Sequence, residues 1–319
     1  MTRLVPVHQL EEAAARLRSG GLVALPTETV YGLGANIFNE DAVRGIFVAK
    51  GRPSDNPLIV HIAEPSQVHD FASEVSKDAE KLMDAFWPGP LTLIFTKKAE
   101  VLDIITAGLD TVALRWPKHP LAQDLIARAG PLVAPSANSS GKPSPTKSAH
   151  VKEDFGDDFP VVEAGITNIG LESTVLDITS KPYQIYRPGA ISAQDIEEVT
   201  GIAVERANNT SPKTAAKSPG TKYSHYTPNA TVQWLGDEDP ISVDDALYLL
   251  HDRSASNTGA QVVAYHGNYK RMAHELYDRF RQADHKELHQ IYVEPFSDEQ
   301  QSKAMVHALF NRISKAVGS

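Results

Sequence analysis

Lys50 and Arg52 stand where a helical stretch gives way to the proline-bracketed turn Gly51-Arg52-Pro53-Ser54-Asp55-Asn56-Pro57, and a further cation, Arg115, follows the apolar run Val112-Ala113-Leu114. Ammonium and guanidinium groups beside small hydroxyl and amide groups are the donors that grip a phosphate or a carboxylate. The hydroxyls come first from Pro26-Thr27-Glu28-Thr29-Val30-Tyr31-Gly32-Leu33-Gly34, a glycine-rich turn after the apolar run Leu22-Val23-Ala24-Leu25, and Lys50 lies 16 positions past Gly34. A cation in the last turn of a helix can simply cap it, for well under about 1 kcal/mol. Asp55 and Asn56 on the same loop, and His61 at the exit of the next apolar run, extend the polar set beyond what a cap needs.

Side chains alternate along a strand, so Thr111, Ala113 and Arg115 share one face, a threonine and an arginine projecting together. The run Pro135-Ser136-Ala137-Asn138-Ser139-Ser140-Gly141-Lys142-Pro143-Ser144-Pro145-Thr146 directly follows the strand-like Leu132-Val133-Ala134. Serine and asparagine form ordinary turns, but this density of hydroxyls and amides at a strand end matches the place where open α/β sheets bind ligands. Glu172-Ser173-Thr174 and Arg187-Pro188-Gly189 add to it.

The elements that must position these groups follow from periodicity. Gln9–Ser19, Asp41–Ala49, Lys77–Phe86 and Pro120–Ala129 have apolar residues at helical spacing. Leu22–Leu25, Pro57–Ile62, Leu91–Thr96, Thr111–Leu114, Leu132–Ala134, Thr174–Ile178 and Gln184–Tyr186 are short runs bounded by Pro, Gly, Ser or Asp, as strands are. Helices interleaved with strands, and a hairpin turning at Ser180-Lys181-Pro182, predict an α/β domain on a mixed twisted sheet over residues 1–207. Residues 208–229 turn to Thr, Ser, Pro, Lys and Tyr with no acidic residue, which reads as a linker that either stays solvated or folds over an anion site. Strands at Thr231–Leu235, Ala246–Leu250, Gln261–Tyr265 and Ile291–Val293, with helices at Tyr269–Arg281 and Asp298–Val317, predict a smaller Rossmann-like α/β domain over 230–319. That domain carries no glycine-rich phosphate fingerprint.

Length and composition agree with two globular domains: 319 residues, 41% hydrophobic and 22% charged. The formal net charge of −9 disfavours broad binding to polyanionic nucleic acid. With no cysteine, the chain has no disulfide, thiolate metal site or cysteine nucleophile. The N-terminus lacks an apolar signal core, and no stretch approaches the ~20 apolar residues that span a bilayer. A cytoplasmic location is expected.

In order, PTETVYGLG, KGRPSDNP, FWPGPLT (Phe86–Thr92), TVALRWP, APSANSSGKPSPT, LESTV and YRPG resemble the threonylcarbamoyl-AMP synthases built on the YrdC-like domain, over residues 8 to about 200. SPGTKYSHYTP at Ser218–Pro228 resembles the linker signature of the long, two-domain branch. The resemblance implies an ATP-dependent nucleotidyltransferase that condenses L-threonine, bicarbonate or carbon dioxide, and ATP into threonylcarbamoyl-adenylate and pyrophosphate. A downstream transferase then modifies the adenosine beside the anticodon of tRNAs reading codons that begin with A. By position, Thr27, His61, Arg115, Ser136 and Ser173 hold the threonine. Lys50, Arg52, Asn56, Thr111, Asn138, Ser144 and Arg187 hold the nucleotide and its phosphates, with Tyr223 reaching in from the linker, and Lys50 and Arg52 act on the reacting phosphates. Mg2+ is expected to come with ATP, since no acidic cluster at metal-ligand spacing stands out.

Two departures bear on this. The linker has Thr221 and Ser224 where the family commonly has methionine and arginine, which weakens its grip on phosphate, and Pro135 stands where threonine is frequent. A different reading is an RNA-binding translation accessory protein that uses a concave basic YrdC-like surface without chemistry. A carbamoyl-handling maturation factor would need zinc-finger modules that a chain without cysteine lacks.

Overall fold

Two sheets organise the protein, seen here in a computed structural model that describes residues 7–207, 226–236, 245–253 and 261–318. The first contains β1 (Val23–Leu25), β2 (Gly32–Asn36), β3 (Ile59–His61), β4 (Leu91–Thr96), β5 (Thr111–Arg115), β6 (Leu132–Val133), β7 (Thr174–Asp177), β8 (Tyr183–Arg187) and β9 (Val204–Arg206), in the spatial order β1-β2-β6-β3-β5-β4-β7-β8-β9. It is mixed: β3 runs parallel to β5, β4 to β7 and β8 to β9, and the other neighbours are antiparallel. The helices of this half are α1 (Val7–Arg18), α2 (Glu40–Lys50), α3 (Val68–Phe71), α4 (Lys77–Phe86), α5 (Asp103–Thr106), α6 (Pro120–Ala129), α7 (Ser148–Phe155) and α8 (Ala193–Thr200). The second sheet, in the order β10 (Thr231–Trp234), β13 (Gln290–Val293), β11 (Ala246–Leu250), β12 (Gln261–Ala264), is parallel throughout. It is joined by α9 (Tyr269–His285), α10 (Asp298–Gln301) and α11 (Ala304–Val317).

Local chemistry sets the elements that matter for the site. The Asn39 side chain accepts from the Ala42 N–H and starts α2, with Glu40 and Asp41 in the first turn. Gly51, at φ 61°, takes the left-handed conformation that ends the helix, so Lys50 is its last residue and the chain turns to present Arg52.

β2 departs from the sequence reading, in which Gly32-Leu33-Gly34 belongs to a turn. It pairs antiparallel with β1, Leu25 opposite Gly32. Glycine is a poor strand former, but a Cβ at Gly32 would lie 3.1 Å from the Ala134 Cβ, and one at Gly34 3.0 Å from Leu25. Close packing overrides propensity here. The helix read over Asp298–Val317 is broken in two, because Lys303 adopts extended backbone (ψ 133°) between α10 and α11. α7, α8 and β9 are short additions that periodicity did not reveal.

The main core lies under the first sheet, where Leu33, Val60, Leu93, Leu114 and Leu176 pack with Ile46 of α2 and Leu82 of α4. α1 and α6 cover a second cluster with Leu25 and Leu132. The core of the second domain is not confined to it: Val30 and Leu171, from the first half, pack among Met272, Leu276, Tyr277 and Ile313. Each contributes about 2 kcal/mol of burial that holds the second domain against the loops that follow β1 and precede β7. Among the described residues no helix is long and apolar enough to cross a membrane.

Candidate active site

A pocket opens where β3, β5 and β8 end, lined by Arg52, Ile59, His61, Arg115, Ser136, Arg187 and Tyr226, with Thr29, Val30, Pro135 and Glu172 completing the wall. Three guanidinium groups from three separate segments thus face one hollow.

Arg115 is fixed on every side. Its Nη2 donates to the Glu28 Oε1 at 2.6 Å, Nη1 to the Thr29 hydroxyl at 3.0 Å and Nε to the Gly89 carbonyl at 3.2 Å, while Glu28 also accepts from the Lys118 N–H. Both members of the ion pair are buried. One N–H remains on each terminal nitrogen, a fork suited to a carboxylate. His61, opposite Arg115 in the β3/β5 register, is buried beside it. Burial, then repulsion by Arg115 and Arg187, pushes the imidazole down to about 3, so it is neutral. Its Nδ1 contacts the Ile59 carbonyl at 3.1 Å, and a carbonyl can only accept. Nδ1 therefore carries the proton, and Nε2 offers a lone pair to a donor.

Thr27 serves the turn and does not line the pocket. Its hydroxyl accepts from the Thr29 and Val30 N–H groups and donates to the Val30 carbonyl at 2.6 Å, and it is Thr29 that reaches the pocket. Ser173 sits behind Arg187, accepting from its Nη2 at 3.0 Å through the hydroxyl and from its Nε at 3.0 Å through the carbonyl. Ser136 lines the pocket directly.

Lys50 requires a correction. The sequence suggests a solvent-facing cation at a helix end, whereas Lys50 is only 4% exposed and its Nζ donates to the carbonyls of Ser136 at 2.5 Å and Asn138 at 2.6 Å. Burial, reinforced by Arg52, lowers the ammonium to about 7. The loop after β6 wraps over the helix end, which no local pattern signals. Arg52, by contrast, faces the pocket, with its Nη2 donating to the Asn56 carbonyl at 3.2 Å. Asn56 is fully buried and does not line the pocket, and neither polar atom of its side chain has a hydrogen-bond partner among the described residues. The Asn138 Nδ2 donates to the Ser139 and Lys142 carbonyls, while its buried Oδ1 has no hydrogen-bond partner among the described residues. Thr111 lies at the other end of β5 from Arg115, about 13 Å along the strand, and does not line the pocket. Expectations for Tyr223 fall on residues 208–225, outside the described residues. Where the described chain resumes, Tyr226 is buried against the pocket and stacks on Tyr277 of α9 at 5.3 Å.

Glu172 joins the two domains. Ser144 donates to its Oε1 at 2.6 Å, Arg312 to its Oε2 at 2.8 Å, and the Tyr277 hydroxyl to both oxygens at 3.1–3.2 Å. Burial favours the protonated acid, but the guanidiniums of Arg312 and Arg187 with the Ser144 hydroxyl outweigh it and hold the carboxyl at about 2. Further along α9, Asp278 accepts from Lys147 at 2.7 Å and Arg281 donates to Asp154 at 2.9 Å. Sequence reasoning found neither Arg312 nor Tyr277, since both belong to amphipathic helices in which a charged or phenolic residue is unremarkable.

These carboxylates make docking acid-sensitive. The folded value of Glu172 lies below the ordinary 4.5. Its stabilisation is therefore complete above about pH 4.5 and is lost as pH falls toward 2. Between about pH 5.5 and about pH 3, urea unfolding is expected to lose about 2 kcal/mol more in the native protein than in Glu172→Gln. Equal pH slopes in the two proteins would contradict this.

Fold and pocket define a two-sheet α/β protein whose first sheet carries a hollow built to bind anions. Residues 15–189 match the family described as Telomere recombination, and residues 191–318 match Threonylcarbamoyl-AMP synthase, C-terminal domain. The sequence is 42% identical over 320 residues to a threonylcarbamoyl-AMP synthase of Pyrococcus abyssi, covering 96% of this chain and 93% of that one. It is 43% identical over 327 residues to a threonylcarbamoyl-AMP synthase of Bacillus subtilis, covering 97% and 93%. The structure superposes on that of P. abyssi Sua5 complexed with L-threonine with a TM-score of 0.87 at 39% identity, covering 99% of this chain and 96% of that one. The chain belongs to the threonylcarbamoyl-AMP synthase family, in its two-domain Sua5 form.

Proposed function

We propose that the pocket binds L-threonine on the Arg115 and His61 side and ATP on the Arg52 and Arg187 side, with bicarbonate between them. Residues 1–207 are taken as the catalytic domain, 208–229 as the linker and 230–319 as the C-terminal domain. The observation that carries the reading is the convergence of Arg52, Arg115 and Arg187 with a neutral His61 on one hollow.

The Arg115 fork donates to the threonine carboxylate, while Thr29, Ser136 and the His61 lone pair answer the hydroxyl and amino group; Thr27 and Ser173 support this side from behind. The threonine amine adds to carbon dioxide formed from bicarbonate to give a carbamate, and the amine proton leaves with the hydroxide lost from bicarbonate as water. A carbamate oxygen then attacks the α-phosphorus of ATP, and the bond to the leaving pyrophosphate breaks. Such a transfer needs alignment and fixed positive charge more than a covalent nucleophile. Arg52 and Arg187 meet the charge that grows on the phosphates, and the Asn56 carbonyl holds Arg52. Lys50, with its ammonium on the Ser136 and Asn138 carbonyls, holds that loop and contributes charge from behind it. Asn138 and Ser144 shape the same wall, Thr111 stands farther off, and Tyr223 would approach from the linker.

Mg2+ supplies neutralisation of the leaving pyrophosphate when it arrives with ATP. The pocket carboxylate Glu172 is tied to Arg312, and among the described residues no group of three or more His, Asp or Glu could hold a metal. The phosphates would then carry the ion. The product passes to a downstream tRNA threonylcarbamoyl transferase, in a cytoplasmic setting that the tRNA acceptor implies.

Pyrophosphate release from ATP is the test. It is expected only with threonine and bicarbonate together. A tRNA gel shift with ATP left intact would replace this reading with the RNA-binding accessory protein.

A further inference from the structure

The proposed substrate subsites all lie in the first half of the chain or in its linker, yet two walls of the pocket are held from the second domain. We infer that Arg312 on α11 is a positioning residue for the reaction, acting on the pocket through Glu172 and Tyr226. The inference rests on the nucleotide subsite proposed above.

The Arg312 guanidinium, itself fully buried, donates to the Glu172 Oε2 at 2.8 Å and lies 5.5 Å from the centre of the Tyr226 ring. Tyr277 touches the same two residues, with its hydroxyl on the Glu172 carboxylate and its ring stacked on Tyr226. Glu172 in turn holds Ser144 at 2.6 Å and is followed by Ser173, which carries Arg187. The segment before it is equally constrained. Leu171 is part of the second domain's core, and a Cβ at Gly170 would lie 2.4 Å from the Ala273 carbonyl of α9. The geometry therefore runs without a gap from α11 to Ser144 and Arg187.

Stability alone does not account for such a pair. A buried guanidinium and carboxylate lose their hydration, and apolar groups of similar volume would serve the interface as well. What an apolar contact cannot do is fix a carboxylate at a defined place to receive the Ser144 hydroxyl. A misplacement of about 1 Å in a supporting residue can cost as much as 10²-fold in rate.

The experiment compares Arg312→Met, Glu172→Gln, the double variant and Arg312→Lys by thermal midpoint, kcat, and KM for ATP and threonine. Arg312→Met is expected to lower the midpoint and raise the ATP KM about tenfold or more, since it leaves Glu172 charged and displaced. In the double variant the midpoint should recover while the ATP KM stays high, because the buried charge is gone but Ser144 and Arg187 remain unplaced. A double variant with both midpoint and ATP KM restored would overturn the inference and leave the pair a structural contact. Should the Met variants fail to fold, Arg312→Lys and Tyr277→Phe decide: both keep the interface filled, and an ATP KM unchanged in both would overturn it. Arg187→Ala separates the underlying reading. If it leaves the ATP KM unchanged, the nucleotide subsite itself is wrongly placed; if it raises the KM while the Arg312 variants do not, only the positioning role fails.

Discussion

Arg115→Ala is expected to lower kcat/KM for threonine about 10²- to 10³-fold, which corresponds to about 3–4 kcal/mol, with a smaller change for ATP. Arginine binds a carboxylate by two parallel N–H donors, and the other guanidiniums of the pocket, Arg52 and Arg187, lie on the side proposed for the nucleotide. The same substitution should destabilise the fold by about 3 kcal/mol, because it leaves the Glu28 carboxylate buried without its guanidinium, now paired at 2.6 Å. Arg115→Lys keeps a charge near Glu28 but loses the fork, so stability should recover more fully than threonine KM. Steady-state kinetics with each substrate varied, alongside thermal unfolding, measures both effects. A larger rise in the ATP KM than in the threonine KM would exchange the two subsites.

Lys50→Met should cut turnover about 10²-fold and also, above the ordinary 10.5 where the amine is neutral folded and unfolded alike, lower stability by about 1–3 kcal/mol, since the Ser136 and Asn138 carbonyls lose their donor in a buried place. A residue that merely capped α2 would show neither effect. pH separates the contributions of the ammonium. Its folded value of about 7 is below the ordinary 10.5, so the charged form is penalised in full below about pH 7. Stability due to this group rises with pH between those two values, while its electrostatic help to the leaving pyrophosphate is lost around pH 7, at the lower end of that range. Opposite pH trends in stability and in kcat, both absent from Lys50→Met, are the expected result. Parallel trends would show that the amine does not act on the reaction.

Much of the first half is legible from pattern. α6 over Pro120–Ala129 and β4 over Leu91–Thr96 have the bounds that periodicity and turn residues predict. The gathering of cations and hydroxyls at strand ends follows from where the chain must turn. Other features are invisible in one dimension. Gly32-Leu33-Gly34 reads as a turn because glycine disfavours strands, and only Ala134 and Leu25 pressed against it make the strand necessary. Thr27 and Thr29 are alike in sequence, yet one hydroxyl closes the turn and the other reaches Arg115.

By itself, the sequence determined the α/β alternation, the family and the supply of anion-gripping groups. These depend on residue type and short spacing, which local sterics and hydrophobic periodicity convert directly into strands, turns and caps. Only the tertiary structure decided which groups face the hollow and which are consumed behind it, as Lys50 and Ser173 are. It also decided that the second domain packs behind the pocket wall, through an Arg312–Glu172 contact spanning 140 residues of chain. Contacts of that separation are set by how whole layers pack, and no local pattern encodes them.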